Sequence, residues 1–186
     1  AMPGLVGGAG AWTRRGPAAV PAFPPQGFVR VGASTPRVRP ADVAFNRDSL
    51  LEEMRRADKA RVDLLVCPEL SLSSYAIDDL HMQDALLTAI EEALSELAEA
   101  STDLTPVVLL GAPLRRDGRL YNCAVAVSRG GLLGLVPKSH LPHSREFYAT
   151  RCFAHGRCTR AELTCVGQPV PSVDAEPTED RTPRRV

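Results

Sequence analysis

The chain has 186 residues, 44% hydrophobic and 24% charged, a balance that suits one soluble globular domain. Its formal net charge of +0 offers no basic surface to nucleic acid or an anionic membrane, and no apolar run approaches the roughly 20 residues of a membrane span. The 5 Cys make no CxxC pairs, so they give no zinc pattern and fit reduced thiols in a cytoplasm.

Residues 1–26, rich in Gly, Ala and Pro, read as a flexible leader, without the basic start and continuous apolar core of a signal peptide. Phe28 to Ala33 is a first strand. Asn46 then caps a helix over 47–60, with Leu50, Leu51, Met54 and Ala57 along one face. Leu64 to Cys67 is a short buried strand that Pro68, lacking an N–H, brings to an end. Asp78 or Asp79 starts a helix of about 80–100, where Leu87, Ile90, Leu94 and Leu97 recur at helical spacing and Glu91, Glu92, Glu96 and Glu99 make the wet face. Pro106 opens a third strand, Val107 to Leu110, closed by Gly111. Two further β-rich runs, Leu120 to Val127 and Leu132 to Val136, flank Ser128-Arg129-Gly130-Gly131 as a hairpin. The order β-α-β-α-β followed by a hairpin predicts a mixed α/β sheet with helices outside it.

Two strand ends share one arrangement. Cys67-Pro68-Glu69 and Val136-Pro137-Lys138 each run from an apolar strand through a proline to a charged residue. Strand ends at the rim of an open sheet are where ligand sites form in α/β folds. Taken singly, Glu69 and Lys138 are ordinary solvated charges. Together they suit amide chemistry, which needs a base to take a proton and a cation where an oxyanion develops. Lys138 is also unusual in kind: of 22 basic residues only Lys59 and Lys138 are lysines, so this chain elsewhere uses arginine for plain positive charge.

The stretches CPELSLSSY (67–75) and RLYNCAVAVSRGGLLGLVPKSHLP (119–142), with EFY at 146–148, resemble the glutamate and lysine motifs of the nitrilase, or carbon-nitrogen hydrolase, superfamily. The resemblance runs from about Phe28 to about Arg157 and is greatest toward its glutaminase branch, the N-terminal domain of glutamine-dependent NAD(+) synthetases. It implies an αββα sandwich whose catalytic group is a Glu, a Lys and a Cys. On that match Glu69 is the general base, Lys138 stabilises the tetrahedral oxyanion, Glu146 orients the lysine, and Tyr75 lines the substrate pocket. It further implies glutamine as substrate, a homo-oligomer, and no cofactor in this portion, ATP and Mg²⁺ belonging to a synthetase domain. Ser74 stands at a turn position where the family usually has Gly.

The family's nucleophile is expected well after the lysine, as a Cys followed by acids. Cys67 and Cys123 lie within strands, Cys152 and Cys158 in a charged stretch, and Cys165 lacks an acidic follower. Residues 158–186 are Pro-rich and charged and read as a disordered or unrelated tail. The sequence therefore predicts an incomplete sandwich, truncated or frameshifted after about residue 157 and without its catalytic Cys. The alternatives are another nitrilase-type amidase or a non-catalytic remnant. His140 and His143 flank Leu141-Pro142 without further ligands and read as loop histidines, and no metal site is expected.

Overall fold

The computed structural model describes residues 27–142, 149–156, 163–165 and 168–170. Five strands form one sheet in sequence order: β1 (Val31–Ala33), β2 (Leu64–Val66), β3 (Val107–Arg116), β4 (Arg119–Ser128) and β5 (Gly131–Pro137). β1, β2 and β3 are parallel, joined by crossovers through α1 (Val43–Lys59) and α2 (Asp84–Ala100), while β4 and β5 return antiparallel. The expected mixed α/β sheet is the observed one.

Period-two alternation decides where the core sits. Leu65, Val108, Leu110, Val125, Val127 and Leu135 point to one face and are almost wholly buried, in one cluster with Leu50 and Met54 of α1 and Ile90, Leu94 and Leu97 of α2. Their neighbours point the other way. Val31, Ala33, Leu64, Val66, Leu109, Ala124, Ala126 and Val136 make an apolar second face, on which Val31 and Val66 are exposed. The described residues thus supply one helix layer and one sheet of a helix–sheet–sheet–helix sandwich.

Several expected boundaries move. β1 begins at Val31 rather than Phe28, and Phe28 and Val29 are exposed. α1 begins at Val43, because the Asp42 side chain accepts from Phe45 N (3.1 Å) and caps the helix; Asn46 lies inside it, buried. The helix expected from Asp78 or Asp79 is split. A 3₁₀ turn, Asp78–Met82, comes first, and extended Gln83 separates it from α2. Gly111 does not close β3, which runs on to Arg116 and turns back through Asp117 and Gly118, both at positive φ. Asp-Gly is a strong signal for such a two-residue turn, and here it joins β3 to β4. The hairpin expected around Ser128–Gly131 forms as read, through Arg129 and Gly130 at positive φ.

A short helix, α3 (Ala149–Cys152), follows the lysine segment. Past residue 157, where the sequence shows no strand pattern, β6 (Leu163–Cys165) and β7 (Gln168–Val170) pair antiparallel. Among the described residues no helix is long and apolar enough to cross a membrane.

Candidate active site

Glu69 follows β2 directly. Cys67 N still donates to Leu109 O (2.8 Å), so the parallel ladder reaches the residue before Pro68, and the chain then bends sharply. The bend is tied down on both sides. Toward β3, Leu72 N donates to Gly111 O (3.3 Å), Gly111 N donates to Ser71 Oγ (3.1 Å), and that hydroxyl donates back to Gly111 O (3.3 Å). Toward α1, buried Asn46 gives its amide N–H groups to Leu72 O and Arg39 O (both 2.9 Å), its Oδ1 accepts from Arg39 N (2.7 Å), and Ala41 N donates to Ser73 O (2.9 Å). Every buried polar side chain in this bend is therefore matched.

Gly111 is required by distance. A Cβ on it would stand 2.2 Å from Leu70 N and 2.8 Å from both Glu69 C and Pro68 O, so the backbone carrying Glu69 passes over β3 where only a hydrogen fits. Ser74 sits at φ +75°, in the region that favours glycine. Ser74→Gly should therefore raise stability by about 0.5–1 kcal/mol, a gain that a urea unfolding midpoint would register.

Lys138 ends β5. Its N–H donates to Asn122 O (2.8 Å), its carbonyl accepts from Gly156 N (3.1 Å), and Ala154 N donates to Leu120 O (2.8 Å), so residues 154–156 run beside the strand end. From there Lys138 Nζ reaches Glu69 Oε1 at 2.7 Å. The same oxygen accepts from Asn122 Nδ2 at 2.5 Å. Both charged side chains keep partial contact with water, 31% for the lysine and 41% for the glutamate, whereas Asn122 is buried. Two charges 69 residues apart in sequence thus meet at one rim of the sheet.

Tyr75 lines a cavity to which neither Glu69 nor Lys138 contributes. It is half-exposed and shares that cavity, of about 20 Å³, with Leu70, Asp78, His81, Ala149, Cys152 and Phe153. Glu146 and His143 lie outside the described residues, as do residues 1–26, Cys158 and most of the stretch beyond 157. His140 is exposed, and His155 Nδ1 lies 3.0 Å from Ser139 O.

None of the thiols at Cys67, Cys123 and Cys152 is in a disulfide. Burial, aided by the charge of Glu53, pushes the Cys67 thiol up to about 12, so it stays protonated at neutral pH. Cys123 is buried in the core. The Cys152 thiol, in α3, is raised by burial and then by Asp79, and its Sγ lies 4.0 Å from Asp78 O.

Asn122 stands inside the lysine motif without being among the expected site residues; a polar residue within an apolar strand is the signal for it. His81, which carries no signal in the sequence, is buried with its ring tilted 60° against Phe153 at 5.1 Å and its Nδ1 without a hydrogen-bond partner among the described residues. Burial lowers the His81 pKa and so favours the neutral ring.

The sequence profile of the family described as Carbon-nitrogen hydrolase matches residues 30–169. The chain belongs to the carbon-nitrogen hydrolase family. Both strand ends described above lie inside that match, which spans β6 and ends within β7. Among relatives of this carbon-nitrogen hydrolase, the glutamine-dependent NAD(+) synthetase of Mycobacterium bovis is 46% identical over 144 residues, covering 77% of this chain and 21% of its own. The crystal structure of a glutamine-dependent NAD(+) synthetase from Cytophaga hutchinsonii superposes with a TM-score of 0.71 at 29% identity, over 77% of this chain and 25% of that one. An amidase from Nesterenkonia sp. AN1 superposes at 0.59 with 20% identity, over 72% of this chain and 51% of the amidase, a likeness of fold alone. The chain therefore spans about a fifth of the length of the synthetase it matches in sequence.

Proposed function

We propose that this chain is the part of a glutamine amidohydrolase domain that supplies the general base and the oxyanion-binding cation, the ammonia-supplying portion of a glutamine-dependent NAD(+) synthetase. The observation that carries this reading is the contact of Lys138 Nζ with Glu69 Oε1 at 2.7 Å, made by two motif residues from different strand ends. Homology to the glutaminase domain of the synthetases supplies the substrate class.

In the proposed reaction a thiol attacks the side-chain amide carbon of glutamine while its proton passes to Glu69. The carbonyl oxygen becomes an oxyanion beside the Lys138 ammonium. Collapse of that intermediate breaks the C–N bond, Glu69 gives its proton to the leaving nitrogen, and ammonia departs. Water, deprotonated by Glu69, then hydrolyses the thioester to glutamate and restores the thiol. Tyr75 and Glu146 are assigned, respectively, to the glutamine pocket and to holding the lysine. This portion needs no cofactor for these steps; ATP and Mg²⁺ would serve the synthetase step.

The thiol is the part that Cys67, Cys123 and Cys152 do not provide, so we place it outside residues 27–156. The experiment is ammonia release from glutamine by the 186-residue chain, alone and joined to the remainder of the glutaminase domain of the Mycobacterium bovis relative. The expected result is no measurable release alone and glutamine turnover in the chimera. Turnover by the chain alone that Cys165→Ala abolishes would put the nucleophile on β6. A folded chimera without turnover would overturn the reading.

A further inference from the structure

Asn122 touches both members of the pair. Its backbone carbonyl accepts from Lys138 N at 2.8 Å, and its side-chain amide donates to Glu69 Oε1 at 2.5 Å. Its place on β4 explains how it does both. Asn122 is opposite Pro113 of β3 without bonding it, because its backbone N–H and carbonyl face the other neighbour, where Lys138 follows β5. Only 4% exposed, Asn122 must find partners within the protein, and its partner is a carboxylate oxygen, the stronger kind of acceptor.

Glu69 Oε1 thus receives two donors, and among the described residues Oε2 receives none. With its side chain 41% exposed, the glutamate has no other anchor among those residues and could otherwise turn into water. We infer that Asn122 is the positioning residue of the pair, fixing the Glu69 carboxylate so that Oε1 faces the Lys138 ammonium and Oε2 is left open for proton transfer. The division of labour between the two oxygens rests on the reading of Glu69 as the base; the positioning itself does not.

The chain's two lysines allow a test without turnover. Lys59, at the exposed end of α1, is an internal standard for Lys138. An amine held against a carboxylate is withheld from reductive methylation by formaldehyde and a borohydride. Labelling of the full chain, read peptide by peptide by mass spectrometry, gives the ratio of Lys138 to Lys59. Glu69→Gln is expected to raise the ratio several-fold. Asn122→Leu, of similar size but without the donor, is expected to raise it at least twofold, because the glutamate leaves the lysine.

An asparagine that served only the core would lower the melting temperature and leave the ratio unchanged. Should the leucine variant unfold, seen as loss of a cooperative melt, Asn122→Ser decides by the same ratio. If Glu69→Gln raises the ratio while the folded Asn122 variant does not, the pair stands without Asn122 and the inference falls. If Glu69→Gln also leaves it unmoved, the pair itself fails, and the inference falls together with the reading of the site.

Discussion

Lys138→Arg, in the chimera with an intact glutaminase domain, is expected to keep the positive charge and lose roughly 10²–10³-fold in glutamine turnover, the usual consequence of removing one well-placed oxyanion donor. Arginine spreads its charge over a planar fork and cannot put a compact ammonium where Nζ now stands, 2.7 Å from Glu69 Oε1. Glu69→Gln should be at least as damaging: the amide keeps the shape but cannot take the thiol proton. The control is Lys59→Arg. That residue ends α1, where any cation suits the helix dipole, and turnover should barely change. Steady-state ammonia release from the three variants checks all of this. Equal rates for Lys138→Arg and Lys59→Arg would remove the lysine from the chemistry.

The second large effect is expected at a residue that carries no charge of its own. Gly111→Ala puts a methyl 2.2 Å from Leu70 N, and the atoms that would have to give way are backbone, held by the Ser71–Gly111 and Asn46–Leu72 bonds. Destabilisation of roughly 2–3 kcal/mol should follow, as for other overpacked sites. Glu69 moves with the bend, and displacement of a catalytic group by about 1 Å is enough to cost about 10²-fold in turnover. Gly131→Ala, whose added Cβ meets nothing nearer than Ser128 O at 4.0 Å, is the comparison and should be mild in both respects. Unfolding midpoints, with ammonia release from the corresponding chimeras, measure the two effects separately. A Gly111→Ala protein as stable and active as the parent would show that the crossing of the two strands is looser than 2.2 Å implies.

The sequence alone carried the alternation of strands and helices, because short apolar runs and helical spacing are local patterns that burial enforces. It carried Glu69 and Lys138 as well, because each follows a proline at the end of an apolar run, and a proline stops a ladder wherever it stands. It also marked Ser74 as a misfit, and the left-handed backbone there is the physical reason.

What it did not carry depends on contacts between distant segments. Asn46 has the chemistry of a helix cap, and only the approach of residues 39 and 72 turns it into a buried clamp. Gly111 looks like the end of a strand until the backbone of Glu69 is laid across it. Asn122 is one polar residue in an apolar strand, and its partner is 53 residues away. The pairing of the two strand ends was suggested by their likeness, but their separation was decided by the register of five strands. Local sequence sets which residues stand at the rim; the tertiary structure sets which of them face each other, because side chains that meet across a sheet are chosen by strand order and register, neither of which a single strand encodes.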